Sequence, residues 1–249
     1  ENPVIVRDKS GKSSIPSIVN FQKNADGINI TVGNIAFKRQ KVAPKMTVFD
    51  SKRMLGRKYN DDHIQELKKR WPFNIERSES GGILICLDGI EKKYHPYEIS
   101  GEILKHLAEV GNSQLAPEDR TNRVVITIPA NFGEEQRTET MKAADYAGLH
   151  VLQLINEPTA AGLAYEFHNP NPNKRHVFVF DFGGGTLDVS LLSNEGKDTK
   201  VIATDGDMFL GGRDFDDKLV DFLINQFDLD DDFRKNRKKM NKLRDSVID

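Results

Sequence analysis

An α/β fold with an added β-hairpin is the class that this sequence predicts, on three observations. From residue 97 to 168 the apolar periodicity alternates between helix and strand spacing. Beyond 175, β-branched and aromatic runs follow one another with only turn residues between them. Between the first two of these runs lies "DFGGGTLDVS", residues 181–190, where three glycines are flanked by a carboxylate on either side.

Taken in order, residues 4–6 and 17–21 read as short strands joined by the polar turn "DKSGKSS". Residues 28–95 form a looser region of short strands and turns, with a helix near 61–70 that ends at Pro72. Ile99, Ile103, Leu104, Leu107 and Val110 recur at helical spacing, so a helix follows from about 97. "RVVITIPA" is a β-branched strand at 123–128. The next helix, "GEEQRTETMKAADYAG", carries Glu134 and Glu135 in its first turn, where the dipole favours acids, and closes at Gly148. "HVLQLI" is a strand, and "NEPTAAGLAYEF" a helix with Asn156 as cap and Pro158 in its first turn. "HVFVFD" is nearly all apolar, which predicts a strand in the middle of a sheet. "LDVSLLS" and "KVIATDG" are two further strands, and Phe215, Leu219, Phe222, Leu223 and Phe227 mark an amphipathic helix. The Pro/Asn-rich stretch "HNPNPNK", 168–174, is the candidate hinge between two lobes.

Composition narrows the function classes. The 249 residues are 37% hydrophobic and 30% charged, as in a globular protein, and allow one large or two small domains. A net charge of -2 gives no electrostatic reason to expect nucleic acid or an anionic membrane as partner. A single cysteine, Cys86, rules out an intrachain disulfide framework and reads as a buried strand residue. No apolar run approaches the roughly 18 residues that span a bilayer, and no signal peptide is visible. "DLDDD", 228–232, lacks the glycine and closing glutamate of a calcium loop, so it reads as a solvated connection. Basic residues from Arg234 to Arg244 have no interleaved aromatic residues and read as a solvated helix face.

The glycine stretch carries chemistry. Glycines permit positive φ and close approach of another backbone, and successive N–H groups in such a turn can bind phosphate oxygens. Thr186 adds a hydroxyl, and Asp181 and Asp188 offer hard oxygens suited to Mg²⁺. The stretch is not a P-loop, because the lysine is missing and a strand follows. It is not a Rossmann fingerprint, because Asp188 stands where the last glycine belongs. A β-hairpin phosphate loop remains, with a merely flexible tight turn open beside it.

At these residues the sequence resembles the 70-kDa heat-shock chaperones. "DFGGGTLDVS", "INEPTAAGLAY", "VITIPANF", "LGGRDFD", "VFDSKRMLGR" and "WPF" occur in the order and spacing of the family's N-terminal ATPase domain, essentially from end to end of this chain. The likeness is to the cytosolic eukaryotic type, with an organellar form left open. It implies an actin-like ATPase fold with ribonuclease H-like lobes, two in number, each with an appended smaller subdomain. On that reading residues 1–17 and 97–169 belong to the core of lobe I, 18–96 to its accessory subdomain, 170–210 to the core of lobe II and 211–249 to its accessory subdomain.

The resemblance also implies roles. Gly183, Gly184, Gly185 and Thr186 match the loop that holds the β- and γ-phosphates. Asp181 and Asp188 match aspartates near the Mg²⁺ shell. Lys52, by itself a solvated loop lysine, matches the lysine that orients the attacking water. Glu157, by itself a first-turn helix acid, matches a glutamate near the metal waters that links nucleotide to domain motion. Pro129 and Arg137 match a proline switch and its relay, and Gly211 and Gly212 a turn beneath the nucleotide. Implied cofactors are ATP or ADP, Mg²⁺ and K⁺. Implied partners are client peptides, a J-domain co-chaperone and a nucleotide-exchange factor.

Three positions depart from the family: Asn131 replaces an aromatic residue, Gln153 a basic one, and Arg213 an acid or amide. The first puts the standard switch in doubt. A DLGTT-like first phosphate loop is expected before Glu1 and the rest of the adenine-clasping helix beyond Asp249, so the chain reads as a fragment that is inactive alone. Two rival readings are a non-catalytic exchange regulator of the same fold, which would gain little from keeping Lys52, Glu157, Asp181 and Asp188, and another phosphotransferase of the actin superfold, such as a sugar kinase, for which no sugar-binding constellation is visible.

Overall fold

The computed structural model describes residues 3–171, 173, 175–195 and 198–248. Pro172 and Lys174, within the expected hinge, lie outside the described residues. The chain forms two compact units, one of residues 1–128 and 132–155 and the other of 129–131 and 156–249. Apart from 129–131, the division falls between Ile155 and Asn156, and the described residues 168–171 and 173 belong to the second unit.

In the first unit β1 (Ile18–Asn24) is central, with β2 (Gly27–Val32) and β3 (Thr47–Phe49) antiparallel on either side. Val19 faces Val32 on one neighbour and Val48 on the other, and Val19, Phe21 and Val48 are buried on this face, while Ile18, Asn20 and Thr47 are buried on the other. α1 (Asn34–Gln40) follows Gly33, and was not legible as a helix because Ala36 is the only buried residue along it. α2 (Ser51–Met54) is entered through Asp50, a non-glycine residue at φ 61, whose carboxylate accepts from Trp71 Nε1 at 3.1 Å. Trp71 stacks on Phe73, which meets Phe49 edge to face, so "WPF" is a core motif of this unit.

α3 (Asp62–Lys68) lies in the expected place, capped by Asp61, whose carboxylate accepts from His63 N. β4 (Asn74–Arg77) and β5 (Ile83–Cys86) form an antiparallel pair. Cys86 is half-buried there; burial, followed by the adjacent Glu76, pushes its thiol up to about 11, so it stays protonated and unreactive at neutral pH. α4 (Pro96–Asn112) starts with Glu98 accepting from His95 N at 2.8 Å and with Pro96 in its first turn. Gly101 lets it approach α5 (Glu134–Tyr146): a Cβ there would lie 2.9 Å from Ala143 O. β6 (Arg123–Ile128) pairs with β7 (His150–Asn156), with the expected Gly148 at φ 71 before β7.

In the second unit α6 (Glu157–His168) packs on an antiparallel meander of β8 (Arg175–Phe182), β9 (Leu187–Glu195) and β10 (Asp198–Asp207), in the order β10-β9-β8. Gly162 of α6 sits so close to the buried Leu192 that a Cβ would meet its Cδ1 at 2.2 Å. One face of the sheet, bearing Leu192, Ser190 and Asp188, is thereby buried. Behind β10 come α7 (Gly212–Gln226), α8 (Asp231–Lys235) and α9 (Arg237–Ile248). Arg234 and Arg244 reach Asp221 and Asp217 of α7 at 3.9 and 3.6 Å, so part of the basic stretch faces acids. Among the described residues no helix is long and apolar enough to cross a membrane.

Four local expectations are corrected. Residues 4–6 form no strand: Val4 and Ile5 are 82% and 77% exposed, and three residues cannot hold a ladder without a partner strand. Among the described residues β8 is an edge strand of its sheet, not a central one, with Phe178 and Phe180 65% and 62% exposed. Its apolar run reflects two apolar faces, only one of which is covered by α6. On α7 the predicted stripe is largely outward, with Phe215, Leu219 and Phe222 exposed, while Val220 and Ile224 point inward. Asn156 occupies the cap position of α6, but its side chain makes no capping hydrogen bond.

Candidate functional site

The glycine stretch is the turn of the β8–β9 hairpin. Gly183 N donates to Thr186 O at 2.9 Å and closes it. Below the turn Phe182 pairs with Leu187 and Asp181 with Asp188. Residues directly opposed in an antiparallel ladder project to the same face, so the two carboxylates stand side by side. Asp188 is 1% exposed and Asp181 is half-buried. Like charges so placed repel each other, and a cation between or above them would relieve this.

The next strand contributes a glycine that sequence reasoning missed. Gly206 of β10 stands opposite Asp188, where a Cβ would lie 2.2 Å from Leu187 O, 2.9 Å from Asn131 Nδ2 and 3.1 Å from Asp188 Cα. No side chain larger than hydrogen fits there, so the row Asp181, Asp188, Gly206 presents two acids and then backbone. An isolated glycine within a strand pattern was the available signal.

The second glycine pair supports the turn from behind. Gly212 N donates to Gly183 O at 2.9 Å and Arg213 N to Gly184 O at 3.1 Å, so the first N–H groups of α7 are satisfied by the turn itself. Gly211 N is accepted by the Asp214 carboxylate at 2.9 Å. Arg213, which departs from the family, acts here through its backbone, and its side chain lies exposed. In a planar trans peptide the C=O and N–H point in opposite directions. With the carbonyls of Gly183 and Gly184 directed at α7, the N–H groups of Gly184 and Gly185 point away from it. A Cβ at Gly184 would meet nothing within 4 Å. The outward N–H of Gly184 beside an open position, with two carboxylates below, is a donor set that fits a phosphate and a hydrated Mg²⁺. The expected reason for the glycines is corrected in part: neither Gly183 nor Gly184 has a left-handed φ, and the close approach of Gly211 accounts for the turn instead.

The structure thus brings Asp181, Gly183, Gly184, Gly185, Thr186, Asp188, Gly211 and Gly212 together in the second unit. Glu157, half-buried at the start of α6, and the buried Pro129 belong to the same unit. Lys52, exposed on α2, and Arg137, whose Nε donates to Phe132 O at 3.2 Å, belong to the first. Gln153 is exposed on β7, and Asn131 is exposed with its amide beside Gly206.

A further cluster, not anticipated, lies at the other end of the hairpin. Glu166 of α6 accepts from Arg175 Nη2 at 2.6 Å and from Asn194 Nδ2 at 3.0 Å, and its second oxygen from Asn171 N at 3.2 Å. Arg175, then Asn194, hold its carboxyl below the ordinary glutamate range. The guanidinium lies over the Tyr165 ring, 5.0 Å from its centre. The cluster ties the end of α6 to the first residue of β8 and to the far end of β9. Pairwise contacts of this kind leave no sequence pattern.

An acid-flanked glycine hairpin on an α/β framework presents the groups that a phosphate and a hydrated cation would require of a β-hairpin loop. The comparisons with known proteins go further. The family model described as Hsp70 protein matches residues 1–249. The chain is 39% identical over 237 residues to the heat shock 70 kDa protein of Trichophyton rubrum, covering 95% of this chain and 35% of that protein. It is 37% identical over 247 residues to the chloroplastic stromal 70 kDa heat shock-related protein of Pisum sativum, covering 98% of this chain and 34% of the relative. Against heat shock 70 kDa protein 2 of Paracoccidioides lutzii it is 39% identical over 224 residues, 90% of this chain and 33% of that one. The chain belongs to the Hsp70 family, and it spans about a third of the length of these curated relatives.

Proposed function

We propose that this chain is the ATP-binding part of a molecular chaperone and that in the whole protein it hydrolyses ATP to ADP and phosphate, coupling nucleotide state to the binding of client peptides. The observation that carries the reading is the hairpin turn: the Gly184 N–H directed away from α7, an open position at Gly184, and Asp181 beside Asp188 beneath. In this reading that N–H and the Thr186 hydroxyl hold phosphate oxygens. Asp181, Asp188 and Glu157 orient the waters around Mg²⁺, and K⁺ is a further ion of the site. When bound, Mg²⁺ neutralises charge on the phosphates. Lys52 orients the attacking water and offsets the charge that develops as phosphoryl transfer proceeds. Gly211 and Gly212 hold the turn in shape through α7. Pro129 and Arg137 carry the switch, with Arg137 anchored on the Phe132 carbonyl.

The lobes follow the same reading: 1–17 and 97–169 with 18–96 as accessory part of one, 170–210 with 211–249 of the other. The partners are client peptides, a J-domain co-chaperone and a nucleotide-exchange factor, and the setting is the cytoplasm or an organelle, since the relatives include a chloroplast stromal protein. The test is hydrolysis by the whole protein. Lys52→Ala should abolish turnover while leaving ATP affinity within about tenfold, because the role assigned is to the transition state. Turnover that survives within a few-fold would remove Lys52 from the reaction.

A further inference from the structure

We infer that Gly56 is a positioning residue for Lys52, acting through a backbone contact with the first turn of α5. The inference deepens the proposed function and rests on its assignment of Lys52. Gly56 has φ +65, and a Cβ built on it would lie 2.8 Å from Gln136 N, 2.8 Å from Glu135 C and 3.1 Å from Gln136 Cα. Every one of these atoms is backbone at the start of a helix. None can rotate aside as a side chain could, so glycine is required here both by conformation and by space.

The contact matters because of what α2 is. A helix of four residues has no stability of its own, since nucleation is not offset by propagation over so short a run. Its direction is set by what it rests on. Ser51, Arg53 and Met54 are buried, and Ser51 Oγ lies 3.0 Å from Ser100 Oγ of α4. Leu55 N donates to Ser51 O at 3.1 Å and Arg57 N to Met54 O at 3.1 Å, so the turn holding Gly56 is continuous with α2. Lys52 is the exposed member of that turn and helix. On the other side of the contact, Gln136 is followed at once by Arg137, whose N donates to Gly133 O at 3.0 Å and whose Nε donates to Phe132 O. The Lys52 helix and the α5 first turn therefore meet backbone to backbone, and the Arg137 side chain ties that turn to the Phe132 carbonyl. A shift of the one moves the base of the other.

The experiment compares Gly56→Ala with Gly89→Ala in the whole protein. Gly89 has φ +74 and nothing within 4 Å of a Cβ, so it carries the same conformational penalty without the contact. In Gly56→Ala, kcat for ATP hydrolysis should fall about tenfold to a hundredfold, the effect of an ångström-scale misplacement, with KM for ATP within about threefold. Amide exchange should accelerate together at 51–57 and 134–138. Gly89→Ala should change neither. Gly56→Asn, which tolerates a left-handed φ but carries the same Cβ, replaces the alanine if that variant does not fold, and the same result is expected of it. Equal kcat in the Gly56 and Gly89 variants, or unchanged exchange at the α5 first turn, overturns the inference. Lys52→Ala is measured alongside: if it leaves kcat intact the catalytic reading fails, while joint acceleration of exchange still shows the Gly56 contact to set the position of α2.

Discussion

Gly211 lies against the peptide that joins Gly184 to Gly185: a Cβ built on it would stand 2.4 Å from Gly185 N and 2.5 Å from Gly184 C. The two glycine motifs, 26 positions apart at Gly185 and Gly211, are thus one object, a turn and its support.

This relationship separates the two motifs by their response to one methyl group. Gly211→Ala must push backbone from backbone and should cost about 1–3 kcal/mol of stability, as overpacking does. Gly184→Ala meets nothing within 4 Å and should be near neutral for stability, but it should weaken nucleotide binding, because its Cβ enters the open side of the turn. Denaturant unfolding together with calorimetric titration of Mg-ADP checks both. Unimpaired nucleotide binding by Gly184→Ala would place the phosphates elsewhere.

Asp181→Asn removes one of two facing carboxylates. Without metal the variant should be as stable as the parent or more so, by up to about 1 kcal/mol, because like charges opposite each other are destabilising. With Mg-nucleotide at about a hundred times Kd the parent should gain about 2.7 kcal/mol, and the variant far less. Thermal melts with Mg²⁺ present and after chelation decide it. An equal gain in both would exclude Asp181 from the metal shell.

Glu166 should make stability depend on pH. Its folded-state pKa lies below the unfolded value, chiefly through Arg175, so the stabilisation is complete above the ordinary glutamate pKa and is lost as pH falls through the lowered one. Urea midpoints of the parent and Glu166→Gln should differ at about pH 6 and converge as pH falls through the lowered pKa, where Glu166 becomes neutral like the glutamine. A difference that persists unchanged at acid pH would mean that the ion pair with Arg175 is not its source.

At Gly162 the opposing atom is the Leu192 Cδ1, 2.2 Å from a built Cβ, in a side chain that is fully buried. Gly162→Ala should therefore destabilise the second unit by about 1–3 kcal/mol, and Leu192→Val in the same chain should recover part of the loss by withdrawing a methyl. Strictly additive unfolding free energies for the pair would show that α6 is not seated through this contact.

The sequence by itself determined the elements and the chemical groups. β6 and β7, α5 closed by Gly148, the hairpin around Gly183–Gly185 and the pair Asp181 and Asp188 could all be read from it, because helix and strand periods, turn glycines and isolated acids are local signals. Motif order then carried family membership. Only the tertiary structure decided which apolar faces are covered, leaving β8 at an edge with Phe178 and Phe180 outward and turning Val220 and Ile224, rather than Phe215 and Phe222, inward. It also decided which glycines are required: Gly56 by the backbone of Gln136, Gly206 by Leu187 O, and Gly211 by Gly184 and Gly185. Periodicity reports that a face is apolar but not what lies against it. Close backbone approach and ion pairs such as Glu166 with Arg175 join segments through space, and no spacing along the chain encodes them.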